Sequence, residues 1–190
     1  MNDTDWFKQG AVIAGATVNG LGTVLLAKYV RKELLNLGYE EVHHWYHNER
    51  GNLAGNQQFL SDQFDWGISV LHYRAYNRMN ALNIDIVRNL PGREGRWAAV
   101  LAISCNTGTF VPGESYSEAF FRGRGGGIGA IGTATPQTNV KFNNIMSGGV
   151  WKGIYKDKLY LFGWGLNSGK YALWRAYDGF EGGYMNFMEW

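Results

Sequence analysis

The chain has 190 residues, 45% of them apolar, and a net charge of +2. That length is enough for one domain with a full core, the composition excludes a disordered chain, and so small a charge gives no ground for nucleic acid or an anionic lipid surface as a partner. No apolar run approaches the ~18–20 residues that span a bilayer, so membrane insertion is not expected, and a single cysteine excludes both an internal disulfide and a Cys-based zinc site.

In chain order, residues 11–16 (AVIAGA) form a short apolar strand and residues 19–23 a turn. Leu25, Leu26, Tyr29, Val30, Leu34 and Leu35 then recur at helical spacing with charged residues between them, an amphipathic helix that Gly38 ends. Residues 41–45 (EVHHW) read as a second strand, which makes a β–α–β unit and predicts a parallel sheet. Residues 48–56 are expected as a loop, 57–63 as a short helix, 66–73 (WGISVLHY) as a third strand that ends near Arg74–Asn80, and 82–90 as a helix stopped by Pro91-Gly92. After the central strand discussed next, Ser115 and Glu118 make a capping box that opens a helix. Residues 123–127 break that helix, and 128–135 (IGAIGTAT) form a further buried strand. Residues 140–155 and 159–177 read as helices; residues 178–190 lack clear periodicity. No internal repeat or long linker divides the chain, so 1–190 reads as one unit.

The stretch 97–110 (WAAVLAISCNTGTF) is the centre of this organisation. Seven uncharged, largely apolar residues, 97–103, read as a strand buried inside a parallel sheet. The strand ends abruptly in Ser104, Cys105, Asn106, Thr107 and Gly108. Ligands and chemistry in open α/β sheets sit beyond the carboxyl ends of the strands, so the lone Cys105 occupies the most useful place in the fold. Its alternative is an inert buried cysteine, a common fate for a free thiol.

Other motifs carry less. Residues 15–23 (GATVNGLGT) suggest a phosphate loop, but Leu21 stands where a Walker motif needs Lys and Leu25 where a dinucleotide fingerprint needs Gly; a plain strand-to-helix turn accounts for them, with a nucleotide site as the alternative. His43, His44 and His47 cluster, yet neighbours on a strand point to opposite faces, so a surface cluster is favoured over a zinc site and no metal or cofactor is assigned. The tract RGRGGG at 122–127 resembles a single RNA-binding repeat and reads as a turn. His72 could pair with the thiol from the neighbouring third strand, since an imidazole can take a thiol proton. It sits about four residues below that strand's expected end, ~13 Å at roughly 3.3 Å per residue, and reads as a core histidine.

Residues 67–77, 100–110, 115–135 and 186–190 resemble, in order, the gingipain family of cysteine peptidases, members of the caspase-like clan. AISCNTGTF is similar to the family's nucleophile strand, with Cys105 at the catalytic cysteine; GGIGAIGTAT is similar to the strand that follows. NFMEW at the end resembles the start of a motif that normally continues further. The resemblance implies a caspase-like three-layer α/β sandwich, a mostly parallel sheet with helices on both faces. It further implies that the chain is the catalytic subdomain of a longer protein, acting on a polypeptide substrate or binding a protein partner, secreted or at the cell surface. In the family a histidine after the third strand is acid and base, within a pattern like Asn-Tyr-x-Gly-His-Gly. The matching residues here are His72, Tyr73, Arg74, Ala75, Tyr76 and Asn77, so Tyr76 stands at the histidine position. A tyrosine, with a reference pKa of about 10, is a poor base for a thiol of about 8.5; Arg74 could favour a thiolate electrostatically. Two functions follow: a cysteine endopeptidase with Cys105 as nucleophile, or a peptidase-derived binding scaffold without turnover. The family's preference for basic residues is not carried over, because no acid lies between Asp5 and Glu33.

Overall fold

The computed structural model describes residues 4–15, 21–50, 54–79, 82–136 and 138–177. Five strands, β1 (Gln9–Ala14), β2 (Glu41–Tyr46), β3 (Val70–Asn77), β4 (Ala98–Cys105) and β5 (Gly127–Gly132), form one sheet in the order β2-β1-β3-β4-β5. Every pairing between them is parallel. The helices are α1 (Gly22–Asn36), the single turn α2 (His47–Arg50), α3 (Ala54–Trp66), α4 (Ile84–Arg88), α5 (Tyr116–Arg122), α6 (Val140–Tyr155) and α7 (Phe162–Ala176). This is the α/β sandwich anticipated from the sequence, with helices covering both faces.

Alternation along the strands builds two cores. Ala11, Ile13, Leu71, Tyr73, Ala98, Val100 and Ala102 face Leu60 and Phe64 of α3, Val87 of α4 and Ala119 and Phe120 of α5. Val12, Ala14, Val70, Leu101 and Ile103 face Val24, Ala27, Val30 and Leu34 of α1 and Met146, Val150 and Trp151 of α6. The interior strands β1, β3 and β4 are buried on both faces for most of their length, which is why β1 and β4 read as largely apolar runs, while β3 buries His72 and Arg74 as well.

Several boundaries differ from the sequence reading. Trp66 ends α3 instead of opening the third strand: Gly67, at φ +101°, takes the left-handed conformation that stops the helix. The third strand then starts at Val70 and ends at Asn77, within the expected range of 74–80, so the sheet reaches the segment that the resemblance marks as functional. The expected loop at 48–56 contains α2 and the start of α3. The helix at 82–90 contracts to α4, capped by Asn83, whose side chain accepts from the Ile86 N–H. The strand at 128–135 contracts to β5, because Thr133 turns away to bond the loop after β4. Helix α6 has the predicted limits, and the Ser115–Glu118 capping box forms in both directions.

The RGRGGG tract is a turn between α5 and β5. Its glycines are required by close backbone approach: a Cβ on Gly125 would overlap the backbone of Leu90 and Gly92, and one on Gly92 would overlap Gly125. The Pro91-Gly92 stop and the glycine tract are two halves of one contact. The start of the glycine turn before α1, at residues 16–20, and the segment 178–190, with the NFMEW motif, lie outside the described residues.

Candidate functional site around Cys105

Strands β3 and β4 end together. Asn77 is the register partner of Cys105, but the pairing slips between Arg74, opposite Ile103, and Asn77. One extra residue is thereby accommodated on β3, the arrangement of a β-bulge, which re-aims side chains at a strand end. Ala75 stays in the core with no exposure while Tyr76 is 46% exposed. Beyond the pairing, the Arg78 N–H donates to the Cys105 carbonyl at 2.7 Å. Both residues that follow the paired ends, Arg78 and Asn106, lie in the left-handed region at φ +51° and +62°. Asn tolerates that conformation better than most residues and suits the tight exit from β4.

The SCNTG turn is pinned from within. The Thr107 hydroxyl reaches the carbonyls of Ala102 and Ser104 and accepts from the Thr133 N–H; the Asn106 N–H donates to the Thr135 carbonyl. Asn106 Nδ2 donates to Asn77 Oδ1 at 2.8 Å, tying the two strand ends together by their side chains.

Cys105 stands where the sequence places it, at the carboxyl end of an interior strand. Its side chain is not open to the crevice, however: the residue is 2% exposed. Alternation puts Cys105 on the same face as Leu101 and Ile103, under the start of α6. There its Sγ contacts Thr138, 3.2 Å from the carbonyl oxygen and 2.8 Å from Oγ1. The cleft at this end of the sheet, about 540 Å³ in volume, lies towards the other face, between β3, β4, α4 and α5. Arg78, Asp85, Asn106, Thr109, Glu114 and Tyr116 contribute to its walls.

Arg74 is the unusual group of the site. Its guanidinium is fully buried on the α6 face and donates to Asn144 Oδ1 at 2.9 Å, the Ile103 carbonyl at 3.1 Å, the Val140 carbonyl at 2.9 Å and the Ala75 carbonyl. All four acceptors are neutral. Burial pulls its pKa down to about 10, and the neighbouring Cys105 and Tyr73 act in the opposite direction. Arg74 therefore remains a cation at neutral pH, held beside the sulfur.

The structure separates the imidazoles from this site. His72 is wholly buried, and its Nδ1 accepts from the Trp151 indole N–H at 3.1 Å. Burial, and then the nearby Arg74 charge, push its pKa down to about 3, so it is neutral and occupied as a core residue. His43 stacks on Trp66 with ring centroids 4.4 Å apart and lies 2.5 Å from Gln63 Oε1. His44 instead approaches Glu49 at 3.6 Å. Both are on β2, at the sheet edge away from β4. Among the described residues the sulfur hydrogen-bonds to Thr138, and no group of three or more metal-binding side chains is present. Thr138 was not singled out by any sequence motif; 33 positions separate it from Cys105, and only the fold brings it there.

A sequence model of peptidase family C25 matches residues 2–188. The chain belongs to peptidase family C25. It is thus a cysteine-peptidase-like domain, as the resemblance to gingipains implied. Among solved structures, the crystal structure of the Arg-specific cysteine proteinase gingipain R superposes with a TM-score of 0.77 at 17% identity. The match covers 98% of this chain and 46% of the gingipain chain, so the chain spans about half the length of that structure. At that identity the superposition shows the shared fold. A search of curated proteins gave no match. No helix among the described residues is long and apolar enough to cross a membrane.

Proposed function

We propose that this C25 chain is the nucleophile-bearing part of a gingipain-like cysteine endopeptidase, with Cys105 attacking the carbonyl carbon of a polypeptide substrate. One observation carries the reading: Cys105 ends an interior strand with a buried, carboxylate-free Arg74 guanidinium beside it. An anionic sulfur is the counter-charge that such a cation lacks, and the thiolate is the nucleophilic form. Attack forms the S–C bond and a tetrahedral oxyanion. Collapse breaks the C–N bond, and the departing amine takes a proton; water then hydrolyses the acyl-enzyme. Tyr76, at the family's histidine position, offers a phenol O–H for the amine, a role tyrosine fills in general acid catalysis. The substrate would lie in the cleft whose wall includes Asn106, the residue that follows Cys105. The domain would work as one unit of a longer polypeptide, secreted or at the cell surface as the gingipain resemblance implies.

The buried sulfur, and the absence of an imidazole among its hydrogen-bond partners, favour a second reading. In it the chain is a peptidase-derived scaffold that binds protein partners without turnover.

A peptide bearing a cysteine-directed electrophile separates the two. Incubated at neutral pH, the folded protein is expected to label at Cys105 faster than the denatured chain does, and to cleave a fluorogenic peptide library in a manner lost in Cys105→Ser. Labelling no faster than the denatured thiol, with no cleavage, would remove the peptidase reading and leave the scaffold.

A further inference from the structure

The contact between Cys105 and Thr138 is two-sided, and its chemistry assigns a direction to each side. A carbonyl oxygen can only accept, so a protonated sulfur gives its S–H to the Thr138 carbonyl at 3.2 Å. A hydroxyl can accept and donate. Asn143 Nδ2 donates to Thr138 Oγ1 at 2.9 Å. The hydroxyl therefore already accepts, and its own proton is free to point at the sulfur 2.8 Å away. Asn143 is wholly buried within the second turn of α6, where its backbone N–H bonds the Asn139 carbonyl. Thr138 immediately precedes Asn139, the N-cap of this 16-residue helix, so the positive end of α6 lies beside the contact. Arg74 on β3 is the charged neighbour of the sulfur; from the α6 side the groups are neutral, Thr138, Asn143 and Asn144.

We propose that Thr138, oriented by Asn143, is the positioning residue for Cys105: its carbonyl takes the thiol proton at rest, and its hydroxyl holds the sulfur once that proton has left. The exchange rests on Cys105 serving as the nucleophile of the peptidase reading, yet needs no substrate to occur. The proton passes to water or buffer, one hydrogen bond is given up and one gained, and no bond to carbon is made. The same hydroxyl then fixes the position of the thiolate relative to the strand end.

Because Cys105 is the only cysteine, thiolate formation can be read on the full chain as ultraviolet absorbance against a Cys105→Ala blank. The titration runs from about pH 4 to about pH 9, below the tyrosine range. Thr138→Val keeps the carbonyl and removes the hydroxyl; it is expected to move the thiolate midpoint up by about one pH unit, as fits loss of a hydrogen bond to a charged group. Thr138→Ser is expected to restore the parent midpoint, and Asn143→Leu to shift it upwards by less. Coincident midpoints in the parent, Thr138→Val and Thr138→Ser overturn the proposal. So does an upward shift that Thr138→Ser fails to rescue, since repacking then explains it. Should near-ultraviolet circular dichroism show Thr138→Val unfolded, Asn143→Leu decides, and an unmoved midpoint there overturns the proposal. Peptide hydrolysis recorded on the same samples keeps the two ideas apart. A shift without turnover in the parent removes the peptidase reading alone, whereas turnover without a shift removes the role of Thr138 alone.

Discussion

Arg74 shows how much one residue can demand of its surroundings. A guanidinium without exposure is tolerated only if its donors are satisfied, and here the backbone of two strands and of α6 is spent on it. Replacing it by Met would remove the charge and leave Asn144 Oδ1 and the carbonyls of Ile103 and Val140 without that donor. We expect Arg74→Met to lose about 2–4 kcal/mol in urea unfolding; a loss under about 1 kcal/mol would show that those acceptors find other partners. The sequence places Arg74 one turn of the zigzag before the family's functional positions, but nothing in its neighbours announces burial. Its orientation follows from strand parity with His72, and parity is known only once the strand limits are known. Tyr76 illustrates the same limit. Its assignment to the histidine position is a matter of alignment, whereas its exposure follows from the slip in pairing between Arg74 and Asn77.

At the scale of elements, local signals worked where the determining contacts are local. The Ser115–Glu118 box closes within one turn: the Ser115 N–H and hydroxyl reach Glu118 Oε2 at 2.8 and 3.0 Å, and Ser115 Oγ accepts from the Glu118 N–H at 3.1 Å. Ser115→Ala should destabilise the domain by about 1 kcal/mol, the usual value of a lost N-cap, with Ser115→Thr closer to the parent; equal unfolding midpoints in all three would show the cap to be dispensable. Because the Ser117 N–H of the same helix bonds the Thr107 carbonyl, fraying of α5 would also loosen the turn after Cys105. Element ends set by distant partners were harder to read. The third strand starts four residues later than the run WGISVLHY suggests, because Trp66 belongs to α3 and Gly67 ends that helix. Within the expected range of 74–80, the end at Asn77 is fixed by pairing with β4, and no residue between Arg74 and Asn77 carries that information alone.

The whole molecule enters through linkage. His72 is neutral in the fold down to about pH 3, while in the unfolded chain it takes a proton near its ordinary value of 6.5. Between those limits the unfolded state binds more protons, so stability is full above about pH 6.5 and falls as the pH drops towards about 3, by at most ~1.4 kcal/mol per pH unit from this group. His72→Gln, which can still accept from Trp151, should flatten this acid limb relative to the parent in urea midpoints measured across the window. Parallel curves would assign the acid sensitivity to other groups. This site joins β3 to α6, the same two elements that hold Arg74, so acid stress is expected to act on the layer that also encloses Cys105.

Period and punctuation in the chain by themselves determined the parallel α/β class, the interior strand that ends in Cys105, the capped helix after it and the limits of α6, since each depends on residues within a few positions of one another. Family membership was legible in the same way, as short motifs in order. Only tertiary structure decided that the sulfur turns away from the cleft to Thr138 and that Arg74 is sealed against α6. Those outcomes depend on strand register and helix docking between segments tens of residues apart, where a shift of one residue sends every side chain to the opposite face.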